Sequence, residues 1–339
     1  MKKLFKILIL VLVAVCCAAG LFACDSGSDK DKKTGLQYKM YEGDDGYTVY
    51  GYVKEGDETE LDIGSFNKDG VVIKRIKKGA FKDNDNLVKI IVPDTVETID
   101  GGAFENMKAL KEITLPFIGK TAVADVGRIN STPDEKAADK STESEKNFGY
   151  IFGTEEYDGG VKCEQNYDSS KTSTYYLPAT LRTVNVSPKT DSEYGIPMYA
   201  FSGNAWVSKV VLSADVKEIG VAAFKDNVYT ETVDFGGVKT IYEDAFNGAK
   251  NIAEANLTNV TEIYKTCFKN CAKLNKVVIG ASLNKIGASA FYGCDVITEI
   301  EDLGDTYWDF GAEDFDLLNL ANVKEGNRII CAWKRDNIA

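Results

Sequence analysis

The amino-acid sequence predicts a β-rich right-handed solenoid of 22–23-residue units, with short parallel strands and one long insertion. Three observations carry this expectation. Phenylalanines preceded by Ala, or once by Cys, recur at Phe81, Phe104, Phe201, Phe224, Phe246, Phe268 and Phe291, with gaps of 23, 97, 23, 22, 22 and 23 residues. Five residues before each stands an isoleucine: Ile76, Ile99, Ile196, Ile219, Ile241, Ile263 and Ile286. Nine residues after each comes a further apolar residue: Ile90, Ile113, Val210, Val233, Ala255, Val277 and Ile300. Apolar columns in register at a fixed period mean one supersecondary unit stacked on copies of itself, each burying its apolar edge against its neighbours. The seven Phe and seven Ile positions are the expected repeat core.

Within a unit, "LVKIIVP", "LKEITLP" and "LNKVVIG" (from Leu87, Leu110 and Leu274) are short, largely alternating apolar runs rich in β-branched side chains, which predicts one strand per coil. "KDNDN" and "FSGN" supply turns. Eight residues before each Phe lie Ile73, Val96, Val216, Val238, Val260 and Leu283, with Glu193 the one departure. Eight after come Lys89, Glu112, Lys209, Thr232, Glu254, Lys276 and Glu299, a column without like-charged neighbours. Opposite charges across adjacent strands contribute about 0.2 to 1 kcal/mol, so this column is expected on an exposed strand face.

Taken from the N-terminus, residues 1–23 read as an export signal: Lys2, Lys3 and Lys6 precede an uncharged apolar run from Ile7 to Ala23. As a helix that run would span about 25 Å, short for a hydrocarbon core of about 30 Å. "LFAC" (Leu21 to Cys24) resembles the bacterial lipobox, which implies lipidation of Cys24 and a stable membrane anchor. Residues 24–36 are polar and charged and are expected to be a disordered tether. Residues 37–70 are read as an N-terminal β cap, opening with a Tyr-rich hairpin around "EGDDG". Leucine-rich coils are expected over 71–116 and 176–303, and a C-terminal cap containing Trp308, Leu317, Leu318, Ile330 and Trp333 over 304–339.

The gap of 97 between Phe104 and Phe201 holds one more coil, whose strand is "TLRTVNV", and an insertion over 117–175. Its centre, "NSTPDEKAADKSTESEK", has almost no large apolar residues, whereas its end, "FGYIFG" (Phe148 to Gly153), is aromatic and is expected to dock. Insertions in solenoids gather on one face and often carry binding.

Composition excludes much chemistry. The chain has no histidine, which removes the commonest general base and metal ligand and every Ser-His or Cys-His nucleophile pair. Without residues 1–23 it carries 37 basic against 52 acidic residues, a net charge of −15, which argues against a nucleic-acid partner. Its carboxylate clusters lack the ordered ligand spacing of an EF-hand, and no two acids form a recognisable acid and base pair. No cofactor, metal or catalytic residue is expected. Beyond the signal stand Cys163, Cys267, Cys271, Cys294 and Cys331. Cys271 and Cys294 each lie three residues after a Phe, in one column of adjacent coils, where either a disulfide or two buried thiols fits.

The units, as in "ETIDGGAFENMKALKEITLP", resemble the BspA-like group of leucine-rich repeat proteins over roughly residues 47–303. "LPFIG" paired with "FGYIFG" is similar to an insertion recurring in surface proteins of that group. The resemblance implies a bacterial surface protein, often an adhesin that binds host or microbial macromolecules, and implies no catalysis; together with the lipobox it gives the expectation of a lipid-anchored cell-surface protein. Two other readings stand beside it: an exported carboxylate-based hydrolase with its site in the insertion, and a structural envelope protein.

The candidate binding surface comes from the column five residues after each Phe, occupied by Asn86, Ala109, Trp206, Tyr229, Asn251, Lys273 and Val296. Its mixed polarity predicts exposure, and Trp206 and Tyr229 are then aromatic neighbours on successive coils, available to a protein or glycan ligand. The alternative is that the insertion or a flanking turn covers them.

Overall fold

The computed structural model describes residues 29–40, 45–53, 57–66, 70–122, 126–127, 143–203 and 205–302. The export signal, Cys24, Cys331, the centre of the insertion and the C-terminal cap lie outside these residues.

Each coil contributes a strand to one long face. Glu60–Asp62, Lys89–Ile91, Glu112–Leu115, Thr183–Val186, Lys209–Leu212 and Thr232–Asp234 form a six-stranded parallel ladder. Glu254–Leu257, Lys276–Ile279 and Glu299–Asp302 form a three-stranded parallel sheet further along the chain. The predicted register holds: Ile90 lies beside Ile113, then Val184, Val210 and Val233, and Ala255 lies beside Val277 and Ile300. The charged column pairs in the same order. Lys89 meets Glu112 at 3.0 Å and Lys276 meets Glu299 at 3.0 Å, while Thr183 separates Glu112 from Lys209.

A second face carries two five-stranded sheets, whose strands are two to four residues long except Tyr47–Tyr52. One runs through Asp29–Lys30, Leu36–Lys39, Tyr47–Tyr52, Ile73–Ile76 and Thr98–Ile99, and the other through Tyr194–Ile196, Val216–Ile219, Thr240–Ile241, Glu262–Ile263 and Lys285–Ile286. The constant spacing of Ile before Phe places these isoleucines at the strand ends, where Ile219 pairs with Ile241 and Ile241 with Ile263. The chain is therefore a parallel β-solenoid, closed at its start by the antiparallel hairpin Leu36–Lys39/Tyr47–Tyr52 and the ring cluster Tyr38, Tyr47 and Phe66.

The interior is one aromatic stack. Phe81 lies parallel to Phe104 at 5.1 Å, and Phe201, Phe224, Phe246, Phe268 and Phe291 follow one another at 4.9, 4.9, 5.0 and 5.3 Å with their planes within 8°. These spacings match the roughly 4.8 Å between adjacent strands, so ring stacking and strand pairing are satisfied by the same rise per coil. Tyr52 extends the stack at one end, 5.8 Å from Phe81.

The Ala-Phe turns need left-handed backbone twice per coil. Two residues after Phe, every coil has a positive φ: Asp83, Asn106, Gly203, Asp226, Gly248, Asn270 and Gly293 lie between 56° and 75°. Only Asp, Asn and Gly occupy this column, the types that adopt such angles at least cost. Two residues before Phe, Gly79 and Gly102 are joined by Tyr199, Ala222, Asp244, Thr266 and Ser289, all with φ between 54° and 73°. There the fold accepts strain at several side chains.

The structure differs from the sequence reading in three places. The tether expected over 24–36 does not extend to its end: Asp29–Lys30 pairs antiparallel with Leu36–Lys39, Asp31 accepts the Thr34 amide at 2.7 Å, and Leu36 is fully buried. A short polar segment is ordered here because its turn is capped from within and one leucine anchors it. Glu193 does not fill its column; a bulge between Tyr194 and Gly195 shifts the register so that buried Tyr194 stands beside Val216.

The third difference is the insertion. The described residues of the segment 117–175 do not form a separate unit but continue a single coil. Thr183–Val186 pairs directly with Glu112–Leu115, so the long ladder runs past the insertion unbroken. The 3₁₀ helix Phe148–Phe152 takes the place of the Ala-Phe turn: Phe104 N–H donates to Ile151 O at 3.0 Å, and Phe148 N–H donates to Ala200 O at 2.8 Å. Its rings bridge the stack, with Phe152 6.3 Å from Phe104, Phe148 5.2 Å from Phe152, and Phe201 5.1 Å from Phe148. Beyond it, Gly160–Asn166 and Thr172–Pro178 form an antiparallel hairpin.

Candidate functional site

The half-buried rings of Trp206 and Tyr229 stand on successive coils with centroids 4.5 Å apart and planes tilted by 60°. The column they occupy is exposed or half-buried at every described position, with Val296 43% exposed. Trp206 follows the first Ala-Phe turn after the insertion, and that neighbourhood fixes it. Its Nε1–H donates to Ala179 O at 3.3 Å, and the Arg182 guanidinium lies 5.8 Å from its ring. The Cys163 thiol, on the insertion hairpin, lies beside the Trp206 backbone and donates to Val161 O at 3.5 Å. Burial pushes that thiol up to about 12, so it acts as packing and not as a nucleophile.

The two rings line a groove of about 230 Å³ together with Leu181, Arg182, Glu231 and Asn251. The hairpin and the Ala179–Arg182 turn support the inner side of Trp206, while the outer side opens to the groove. Tyr229 is held from below by Asn227, whose Oδ1 accepts the amides of Tyr229 at 2.9 Å and Thr230 at 3.0 Å and whose Nδ2 donates to Phe201 O at 2.8 Å. One buried Asn thus caps its own turn and ties it to the preceding coil. That role was not read from the sequence, although Asn recurs in its column at Asn84, where Oδ1 accepts the amide of Leu87 at 2.8 Å.

A second concavity, about 580 Å³, lies where the short-strand ladder is interrupted between Thr98–Ile99 and Tyr194–Ile196. Val72, Val96, Pro116 and Phe117 give it apolar walls, and Asp94, Glu97 and Glu193 are its carboxylates. All three are exposed, and Glu97 is paired with Lys74. Across the break, Tyr194 is wholly enclosed; desolvation holds its hydroxyl protonated, and its oxygen accepts the Ile118 amide at 2.8 Å.

Among the described cysteines, Cys163, Cys267, Cys271 and Cys294 are buried free thiols. Among the described residues no group of three or more Cys, Asp or Glu is arranged to hold a metal ion, and no helix is long and apolar enough to cross a membrane.

Fold and repeat together define a leucine-rich repeat solenoid. The chain belongs to the BspA type leucine rich repeat family, whose model matches residues 72–131 and 171–310 in six copies. Comparison with curated proteins gives no match. Among solved structures the chain is similar to a leucine rich cell surface protein from Faecalibacterium prausnitzii A2-165, at 18% identity over 84% of this chain and 97% of that one, with a TM-score of 0.35. It is also similar to a leucine-rich repeat protein of T. pallidum, at 16% identity over 82% of this chain and 84% of that one, with a TM-score of 0.29. A third is the pneumococcal vaccine antigen PcpA, at 12% identity over 82% of each chain, with a TM-score of 0.30.

Proposed function

We propose that this chain is a bacterial cell-surface lipoprotein, anchored through Cys24, that binds a protein or glycan on another surface and catalyses no reaction. The observation that carries the reading is the Trp206–Tyr229 pair at the mouth of a groove, the rings supported from behind by turns and the hairpin. Aromatic side chains held in this way offer large contact area at small entropic cost, with polar groups at the rim to fix orientation. Family membership supports a binding role.

The test uses the chain from Asp25 onwards, offered to arrays of matrix proteins and of bacterial and host glycans, alongside a Trp206→Ser/Tyr229→Ser variant. Loss of at least tenfold in affinity with an unchanged unfolding midpoint supports the proposal. Equal binding by both proteins assigns the contact elsewhere, and turnover of any arrayed glycan by the wild type overturns the non-catalytic reading.

A further inference from the structure

We propose that Cys271 and Cys294 are a modification site: a low-molecular-weight disulfide oxidises the pair to a bond that staples two successive coils. The geometry comes from the turn. Both residues lie three positions after rings that stack at 5.3 Å, Phe268 and Phe291. The Phe268 carbonyl accepts the Cys294 thiol at 2.9 Å and the Cys271 amide at 3.3 Å, so the sulfur of one residue sits against the backbone of the other. One coil rise, about 4.8 Å, falls within the roughly 4.4–6.8 Å between Cα atoms that a disulfide spans.

The two thiols are also within hydrogen-bonding reach of each other, and their environments are unequal. The Cys271 thiol donates to Phe246 O at 3.1 Å, one coil back, and the proximity of the two sulfurs holds Cys294 below and Cys271 above the ordinary thiol value. Cys294, the less buried of the two, is the thiol that a dissolved disulfide reaches first, and it is the one that attacks. Cys267, although near both, belongs to another column: it precedes Phe268, and the corresponding positions in the neighbouring coils are Ala245 and Ala290, so no cysteine stands beside it in register.

The exchange balances without another reagent. Cys294 loses its proton and its thiolate attacks one sulfur of RSSR, forming a mixed disulfide and releasing RS⁻, which takes up that proton. Cys271 then loses its proton and attacks the Cys294 sulfur, forming the protein S–S bond and releasing a second RSH. Two protein thiols are oxidised and one small disulfide is reduced. Access comes through opening of the coil that carries Cys294, which is 4% exposed where Cys271 is fully buried.

The experiment incubates the folded, fully reduced chain in glutathione mixtures from reducing to oxidising, blocks remaining thiols, and digests with trypsin without reduction. Cleavage after Lys265, Lys269, Lys273 and Lys285 puts Cys267, Cys271 and Cys294 on separate peptides. The expected product joins the peptides of Cys271 and Cys294, two hydrogens lighter than their sum, and raises the thermal midpoint by several degrees. Cys267→Ala retains both effects. Cys271→Ala loses both yet folds, because Ala249 is fully buried in the same column. Thiols that stay free at every ratio, a bond to Cys267, or arrest at a glutathione adduct on Cys294 would each overturn the proposal.

Discussion

Replacing Phe246 with Ala removes the ring at the centre of the longest uninterrupted run of the stack. Phe246 is fully buried, lies parallel to Phe224 at 4.9 Å and Phe268 at 5.0 Å, and meets Phe235 edge-on at 5.7 Å. A buried Phe→Ala change costs about 3–5 kcal/mol, and each well-placed ring pair adds about 0.5–1.5 kcal/mol beyond area burial. Losing several ring contacts places Phe246→Ala at the upper end, about 5 kcal/mol. Phe291 is 5% exposed and stacks on a single ring among the described residues, so Phe291→Ala is expected to cost about 3 kcal/mol. Urea unfolding followed by far-ultraviolet circular dichroism and by tryptophan fluorescence measures both. A solenoid couples only adjacent coils, so the central variant is also expected to separate the two signals in a Trp308→Phe/Trp333→Phe background, where Trp206 alone reports one side of the lesion. Equal losses for the two variants, or a loss below about 1.5 kcal/mol for Phe246→Ala, would refute stacking as the source of cohesion.

Three further predictions follow from particular residues. Phe152→Ala, outside the repeat pattern, is expected to cost about 3–4 kcal/mol, as much as a repeat Phe, because it bridges Phe104 and Phe148; a loss under about 1 kcal/mol in urea would show the insertion to be peripheral. Ser289→Gly relieves a left-handed serine at φ 54° and is expected to stabilise by about 0.5–1 kcal/mol, whereas Gly79→Ala, at φ 72°, destabilises by about 1 kcal/mol; thermal midpoints moving the other way would contradict the turn geometry. At Asp244 burial opposes ionisation, but hydrogen bonds from Thr266, Asn247 and Lys225 outweigh it and hold the carboxyl below its ordinary value. A depressed folded pKa contributes stability that is complete above about pH 4 and is lost as pH falls through the folded value. Asp244→Asn, which keeps a residue tolerant of left-handed backbone, should therefore flatten the decline in stability below about pH 4, and an unchanged acid slope would contradict the assignment.

The repeat was legible because two independent columns, Phe and the Ile five residues before it, kept one spacing through seven copies, and strand register followed from that spacing alone. The charged column was legible for the same reason: Lys89, Glu112, Lys276 and Glu299 pair as their order requires. "FGYIFG" was recognised as a segment that must dock, but not where, because its partner sites at Phe104 and Phe201 are a whole coil away on either side and only the stack's vacancy selects them. Left-handed turns two residues after Phe are written in Asp, Asn and Gly. Those two residues before it are not, since Tyr199, Ala222, Thr266 and Ser289 are held there by the fold against their own preference. Trp206 and Tyr229 were placed together correctly by column arithmetic. The cleft at the ladder break was invisible, because it arises from a strand that is missing.

The central claim is that the insertion completes the stack from within, keeping the coils before and after it in one cohesive solenoid that holds Trp206 in place. Amide hydrogen exchange of Phe104 and Phe148, which donate to Ile151 O and Ala200 O, tests it most directly. Protection equal to that of Phe224, whose amide donates to Ala245 O within the regular coils, is the expected result. Exchange of both at the rate of an open loop, with Phe224 still protected, would contradict it.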